Sequence, residues 1–467
     1  MRSTMNKLII ILLGGILIIA LSHAKTVAQN LPKKTNVILI LSDDQGTLDM
    51  NCYGSTDLIT PNMDALAASG VRFTQFYAAA PVCSPSRAGL LTGKTPLRAG
   101  LPGNVPIPEK QQGAGLSSEQ ITIAEMMKSA GYKTAHIGKW HLGHIEEKQP
   151  NAQGFDYSFG HLVGCIDNYS HFFYWSGPNK HDLWRNGKEV YYDGEYFPDL
   201  TVREVNQFME ENQKDPFFIY WAINVPHYPY QGHEKWLDKY QNLESPRKEY
   251  AAFVSTMDEK IGEVMDKLEA LGLRENTMVI FQSDHGHSRE ERAFYGGGNA
   301  GPYRGAKFSM FEGGLRVPAI ISMPGMIPQG EVRDQVATGM DWMPTIAELC
   351  EVELPDEKID GKSLVSVIKK DVPTPHEVVH WQTGEAFGEK SSWAVRSGNW
   401  KLLGNPSDPN KEESLTEADS LFLVNLAYDI SEKKNLASDH PEQVKKLKEL
   451  HDVWVEEILL EDSRSMK

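Results

Sequence analysis

The chain has 467 residues, four cysteines and a formal charge of −16, with 40% hydrophobic and 24% charged residues. This is an ordinary globular composition, long enough for one large domain with an appendage or for two or three domains. The acidity excludes electrostatic attraction to nucleic acid and requires any anion site to be locally basic, and four scattered cysteines exclude a disulfide framework.

At the N-terminus, Arg2 and Lys7 precede an apolar run from Leu8 to Leu21, followed by small residues at Ser22, Ala24 and Ala28. That order predicts a secretory signal over residues 1–28, cleaved after Ala24 or Ala28. The run falls short of the roughly 20 apolar residues of a spanning helix. No cysteine near the cleavage site marks a lipoprotein. The mature chain is expected to be periplasmic or secreted, without stable membrane insertion.

Residues 36–42 (NVILILS) form a continuous apolar, β-branched run that suits a parallel strand buried on both faces. Similar runs follow at 133–138, 217–225 and 278–283, with helical patterns at 61–69, 122–130 and 250–271. The alternation predicts an α/β domain with a mainly parallel central sheet over residues 32–373. From 374 to 467 the texture changes to short strand-like pieces (377–381, 393–396, 400–403, 421–426) and an amphipathic helix at 442–460. That pattern predicts a smaller α+β subdomain with a short antiparallel sheet and a helix packed on it.

In open α/β sheets ligands sit beyond the carboxyl ends of the strands. Here those ends deliver Asp43 and Asp44, then Lys139 and His141 in GKWHLG, then His227 in NVPHYP, then Asp284 and His285 in SDHGH. Taken singly, an Asp pair is often a turn or cap and a lone His is often structural. Four in succession favour an active site. Three carboxylates from two strand ends suit Ca²⁺ or Mg²⁺ better than zinc, with His285 a softer neighbour.

Between them lies Cys83-Ser84-Pro85-Ser86-Arg87, followed by AGLLTG. Ser84 fits an N-cap and Pro85 the first helical position, so a helix is predicted directly after Cys83. Its free N–H groups would face an anion, with Arg87 one turn in. By helix logic alone, a buried structural cysteine remains an equal reading.

These motifs resemble the type I sulfatases. The C-x-P-S-R…T-G signature is met at Cys83–Arg87 and beyond, and GKWHLG is similar to the family's second signature. An Asp pair, P-H, S-D-H-G, Lys307 and EGGLRVP (312–318) appear in family order, with AVRSGNWKLL and KKNLA later. The resemblance spans almost the whole mature chain and implies an alkaline-phosphatase-like fold. It also implies that a separate maturation enzyme oxidises Cys83 to formylglycine. The metal ligands would be Asp43, Asp44, Asp284, His285 and modified Cys83; many members have Asn where His285 stands. Arg87 and Lys139 would hold the nucleophile and the sulfate, and His141, His227 and Lys307 would serve proton transfer and sulfate contact. A sulfated glycan or small sulfate ester is the implied substrate, with Ca²⁺ the expected ion.

Two other readings compete with this one. A phosphoesterase of the same superfamily would typically carry Ser or Thr as nucleophile and more His ligands. A non-catalytic sulfoglycan-binding protein would need Cys83 to escape maturation. Residues 161–184, crowded with aromatic and His side chains, read equally as a sugar-facing insertion or as a packed loop. Gly296 to Lys307 reads as a flexible approach to Lys307, and Asp341 and Asp360 read as structural. With Cys83 used chemically, at most one disulfide is left among Cys52, Cys165 and Cys350.

Overall fold

The structure, a computed structural model, describes residues 34–465 except 112, 175–178, 385–390 and 411–413. The expected leader, residues 1–28, lies outside the described residues. Among the described residues no helix is long and apolar enough to cross a membrane.

Five parallel strands form the centre of a ten-stranded sheet, in the order Thr277–Ser283, Asn36–Ser42, Phe217–Ala222, Lys133–Lys139, Tyr157–His161. The first four are the apolar runs read in the sequence. Their side chains feed two cores, one on each face, as continuous hydrophobic strands require. Val37, Leu39 and Leu41 enter one core, and Ile38 and Ile40 enter the other. Antiparallel pairing appears towards the edges, where Ala319–Ser322 joins Thr277–Ser283 and Trp184–Arg185 joins Tyr157–His161. The third strand is shorter than expected, ending at Ala222 rather than 225. The chain then turns so that the Val225 carbonyl accepts from the Asp43 N–H.

Gly138 shows how closely the strands approach beneath the site. It sits at φ +114°, and a Cβ there would lie 2.0 Å from the Ala222 carbonyl oxygen of the neighbouring strand. A side chain would push the strands apart one residue before Lys139.

A four-stranded antiparallel sheet follows, in the order Val378–Thr383, Ser392–Ser397, Trp400–Gly404, Leu421–Asn425. Alternate residues face opposite ways. Val395, Leu402 and Leu423 pack with Leu447 of the helix Pro441–Ser465, while Trp381, Leu403 and Phe422 pack against Tyr77, Phe311 and Leu315. Thr35–Lys467 forms one compact unit. All four cysteines are free, so no disulfide forms among Cys52, Cys165 and Cys350.

A buried ion cluster joins the small sheet to the EGG turn. Lys401 Nζ lies 2.9 Å from Glu312 Oε1 and 3.0 Å from Glu432 Oε1, and all three side chains are fully buried. Tyr77 donates to Glu312, and Arg316 pairs with it at 3.2 Å. Asp341 and Asp360 are structural as expected. Asp341 accepts from the Thr338 and Lys362 N–H groups, and Asp360 binds Thr95 and Arg98.

Candidate active site

The carboxyl ends of the parallel strands converge on the helix that begins at Cys83, with one correction to its start. The helix runs Cys83–Thr92, so Cys83 is its first residue and Val82 its N-cap, without a side-chain cap. Ser84 is not the cap, because its hydroxyl accepts instead from the Val105 N–H at 3.0 Å. Every residue of the helix is buried. Ser86 donates to the Asp284 carbonyl, which ties the helix to the end of strand Thr277–Ser283.

Around Cys83 the site is an alternation of buried charges. Its Sγ lies 3.4 Å from Lys139 Nζ, 3.3 Å from His285 Nε2 and 3.9 Å from Asp43 Oδ1. Lys139 Nζ binds both oxygens of Asp43, at 3.0 and 2.7 Å. Arg87 reaches Asp284 Oδ2 at 3.0 Å and Asp43 Oδ1 at 3.5 Å, and it donates to the Lys139 carbonyl at 3.1 Å. Lys307 Nζ lies 3.0 Å from Asp44 Oδ2 and 3.4 Å from His227 Nε2. The cations required by an acidic chain are therefore local.

All ten residues singled out in the sequence are buried here. Asp43, Asp44, Cys83, Arg87, Lys139, His227, Asp284, His285 and Lys307 form one connected cluster. His141 stands at its side, with Nε2 3.3 Å from the Val105 carbonyl and Nδ1 without a hydrogen-bond partner. Asp44 and His141 hold φ at +64° and +56°, a costly conformation for residues with a side chain. Cys83, His141, His227 and Lys307 open onto a common cavity of about 190 Å³. It adjoins a second cavity of about 400 Å³, with Ile107, His144, Val163 and Phe173 lining both.

The electrostatics show where a cation fits. Burial opposes the charge on Asp43, but Lys139, His227 and Arg87 outweigh it and hold the carboxyl well below its usual range. Asp44 lacks that compensation: burial pushes it up to about 8, with Lys307 and His285 opposing and Asp43 and Cys83 adding to the rise. Asp284 is raised by burial too. Asp44 Oδ1 is buried with no hydrogen-bond partner, a cost that an ion removes. Asp43, Cys83, Asp284 and His285 offer ligand atoms within 4.8 Å of one another, as do Asp43, Asp44 and His227. Grouped carboxylates with the Asp44 Oδ1 lacking a hydrogen-bond partner fit a hard divalent cation. Burial would raise the Cys83 thiol, yet Lys139, Lys307 and His285 bring it down to about 5, so position 83 favours negative charge.

Three further residues support the cluster. Glu290 Oε2 lies 3.3 Å from Lys307 Nζ and accepts from Tyr228 and Ser288. Asn104 accepts from the Ser84 N–H at 2.9 Å. Glu312 anchors the turn after Lys307. Glu290 lies six residues after Asp284, and reading SDHGH onward for a carboxylate would have found it; nothing in the sequence pairs Asn104 with Ser84. In the described part of the 161–184 segment, packing and cavity lining occur side by side. His161 and His171 are buried, while Val163, Gly164, Cys165 and Phe173 line the cavity. The stretch from Gly296 is pinned rather than free, since the Asn299 N–H donates to Asp49 and Arg247 donates to the Gly297 carbonyl.

Comparison with known proteins agrees with this geometry. Residues 35–352 match the family model for sulfatases, and residues 304–454 match that for the C-terminal part of N-sulphoglucosamine sulphohydrolase. The chain is 36% identical over 375 residues to an N-acetylgalactosamine-6-sulfatase of Canis lupus familiaris, covering 75% of this chain and 69% of that one. It is 32% identical over 468 residues to arylsulfatase A of Homo sapiens, covering 93% and 89%. The crystal structure of Ps i-CgsB in complex with k-i-k-neocarrahexaose superposes with a TM-score of 0.80 at 29% identity, covering 91% of this chain and 93% of that one. The buried, charge-lined helix at Cys83, the carboxylate nest and the overall similarity lead to one assignment: the chain belongs to the sulfatase family and is a sulfuric ester hydrolase.

Proposed function

We propose that this enzyme removes sulfate from a sulfated carbohydrate, using an aldehyde hydrate made from Cys83. The observation that carries the reading is Cys83 itself, the buried first residue of a helix, with Lys139 and His285 within 3.4 Å of its sulfur. A thiolate attacking sulfur would leave an adduct with no easy exit. An aldehyde hydrate at position 83 instead supplies two hydroxyls on one carbon, one to attack sulfur and one to expel sulfate and restore the aldehyde. A maturation enzyme that oxidises the cysteine is the implied partner.

Asp43, Asp44, Asp284, His285 and the side chain at position 83 would hold the ion, Ca²⁺ or the smaller Mg²⁺. Bound there, it would neutralise sulfate charge and promote loss of a hydroxyl proton. Lys139 and Arg87 orient position 83 and offset the charge of the anion. Lys307 remains an ammonium despite burial because Asp44 and Glu290 face it, and it stabilises the departing sugar oxygen. Burial, with Lys307 and Lys139, holds His227 well below its ordinary range against the pull of Asp43, so its Nε2 takes up a proton as the sulfate ester binds and passes it to that oxygen. His141 is kept neutral by burial and by Lys139 and Arg87, and its open Nδ1 accepts the proton of the second hydroxyl. Water is consumed, and the products are the alcohol and sulfate.

The names of the relatives, which include an N-acetylgalactosamine-6-sulfatase, support a glycan substrate. Arylsulfatase A favours a second reading, hydrolysis of an aryl ester. The predicted leader supports a periplasmic or secreted location. Two measurements test the proposal after co-expression with a maturation enzyme. Mass spectrometry of the Cys83 peptide should show the thiol and one hydrogen replaced by an aldehyde oxygen. A panel of sulfated mono- and oligosaccharides, beside aryl sulfates, should then show sulfate release from a sugar. An unmodified, fully active cysteine sinks the mechanism, and activity on aryl sulfates alone sinks the glycan assignment.

A further inference from the structure

Phe308 has no role in the chemistry above, yet it lines the same cavity as Cys83, His227 and Lys307. Two features define its side chain. It is 45% exposed, so the ring is open to the cavity it lines. It also sits at φ +72°, a conformation that a bulky residue adopts only when its surroundings enforce it. Those surroundings are visible on both sides. The Phe308 N–H donates to the Pro81 carbonyl at 2.8 Å, two residues before the nucleophile, and its own carbonyl accepts from Ser407 at 3.2 Å. The backbone is thus clamped so that an apolar ring stays at the mouth of a charged cleft.

The ring's position relative to the reacting groups narrows its use. Lys307 Nζ lies 5.6 Å from the Phe308 centroid and 3.4 Å from His227 Nε2. Phe308 therefore borders the Lys307–His227 side of the cavity, where the departing oxygen must be met. In a carbohydrate sulfate that oxygen belongs to a sugar ring, whose C–H face is apolar and complements the negative face of an aromatic ring. Val163 and Ile107 add further apolar surface to the cavity.

We propose that Phe308 is a specificity-determining residue, the platform on which the pyranose carrying the sulfate stacks as it leaves. This assignment rests on the glycan reading above and specifies which surface of the site recognises the sugar.

The test compares mature wild-type enzyme with Phe308→Gly, Phe308→Leu and Phe308→Tyr. Glycine removes the ring and is at ease at this φ, so loss of the fold is not its expected effect. Each variant is assayed on the sulfated monosaccharide that wild type cleaves best, with inorganic sulfate as competitive product inhibitor. Phe308→Gly and Phe308→Leu should raise KM by about tenfold, and Phe308→Tyr should stay within about twofold of wild type. The inhibition constant of inorganic sulfate should not move, since sulfate contacts the charged residues and not the ring. A wild-type KM in Phe308→Gly overturns the assignment, as does a parallel loss of sulfate inhibition. If wild type releases sulfate from aryl esters but from no sugar, the glycan reading fails first and this platform fails with it.

Discussion

Replacement of His227 by alanine separates proton delivery from the rest of the reaction. The imidazole Nε2 lies 3.4 Å from Lys307 Nζ and 3.6 Å from Asp44 Oδ2, so it shares a corner with a second donor. A positioned general acid is worth about 10²–10⁴-fold, or about 3–5 kcal/mol of barrier. Because Lys307 stays in place to stabilise the leaving oxygen, the loss on a sugar sulfate should fall near the lower end, about 10²-fold in kcat. On 4-nitrophenyl sulfate the leaving phenolate needs no proton, and the loss should be under about tenfold. Sulfate release measured by ion chromatography on both substrates, at saturating concentration, gives the two ratios. Equal losses on the two substrates would refute proton delivery by His227 and leave it a packing or sulfate-contact residue.

Three other outcomes follow from the same geometry. Chelation should abolish sulfate release and Ca²⁺ should restore it; Asp44→Asn should lose both the activity and the rise in melting temperature that Ca²⁺ gives wild type. Lys401→Met leaves Glu312 and Glu432 buried beside each other, and urea unfolding should show a loss of about 3 kcal/mol, the low end for a broken buried pair because Arg316 still faces Glu312. Unchanged stability would show that the cluster is not a fastening between the small sheet and the EGG turn. Burial raises Glu432 to about 7, with Lys401 opposing and Glu312 adding to the rise. A folded pKa above the unfolded one means that this proton stabilises the fold at low pH, and the contribution fades as pH rises from the ordinary carboxylate range through about 7. Urea midpoints of wild type should therefore fall between about pH 5 and 8 more steeply than those of Glu432→Gln, which mimics the protonated form; parallel curves would remove Glu432 as the source.

Much of the molecule was legible in one dimension because its signals are local. Four buried parallel strands announce themselves as apolar β-branched runs, and each places its candidate site residues at or just past its carboxyl end. The short strand-like pieces at 377–381, 393–396, 400–403 and 421–426 likewise foretold the small antiparallel sheet. Cys83 through Arg87 and GKWHLG marked the candidate site as motifs, and a charge of −16 required that the cations be gathered there. What only the tertiary structure decided are contacts between residues far apart in the chain. Arg87 meets Asp284 across 197 positions and Lys307 meets Asp44 across 263, and no local periodicity encodes such pairs. The helix cap moved from Ser84 to Val82 because Val105 claims the Ser84 hydroxyl. Glu290 behind Lys307, the Asp44 oxygen without a hydrogen-bond partner and the exposed ring of Phe308 belong to the same class. Each is defined by which distant groups surround it once the strands have packed, and burial then sets its charge, its strain or its exposure.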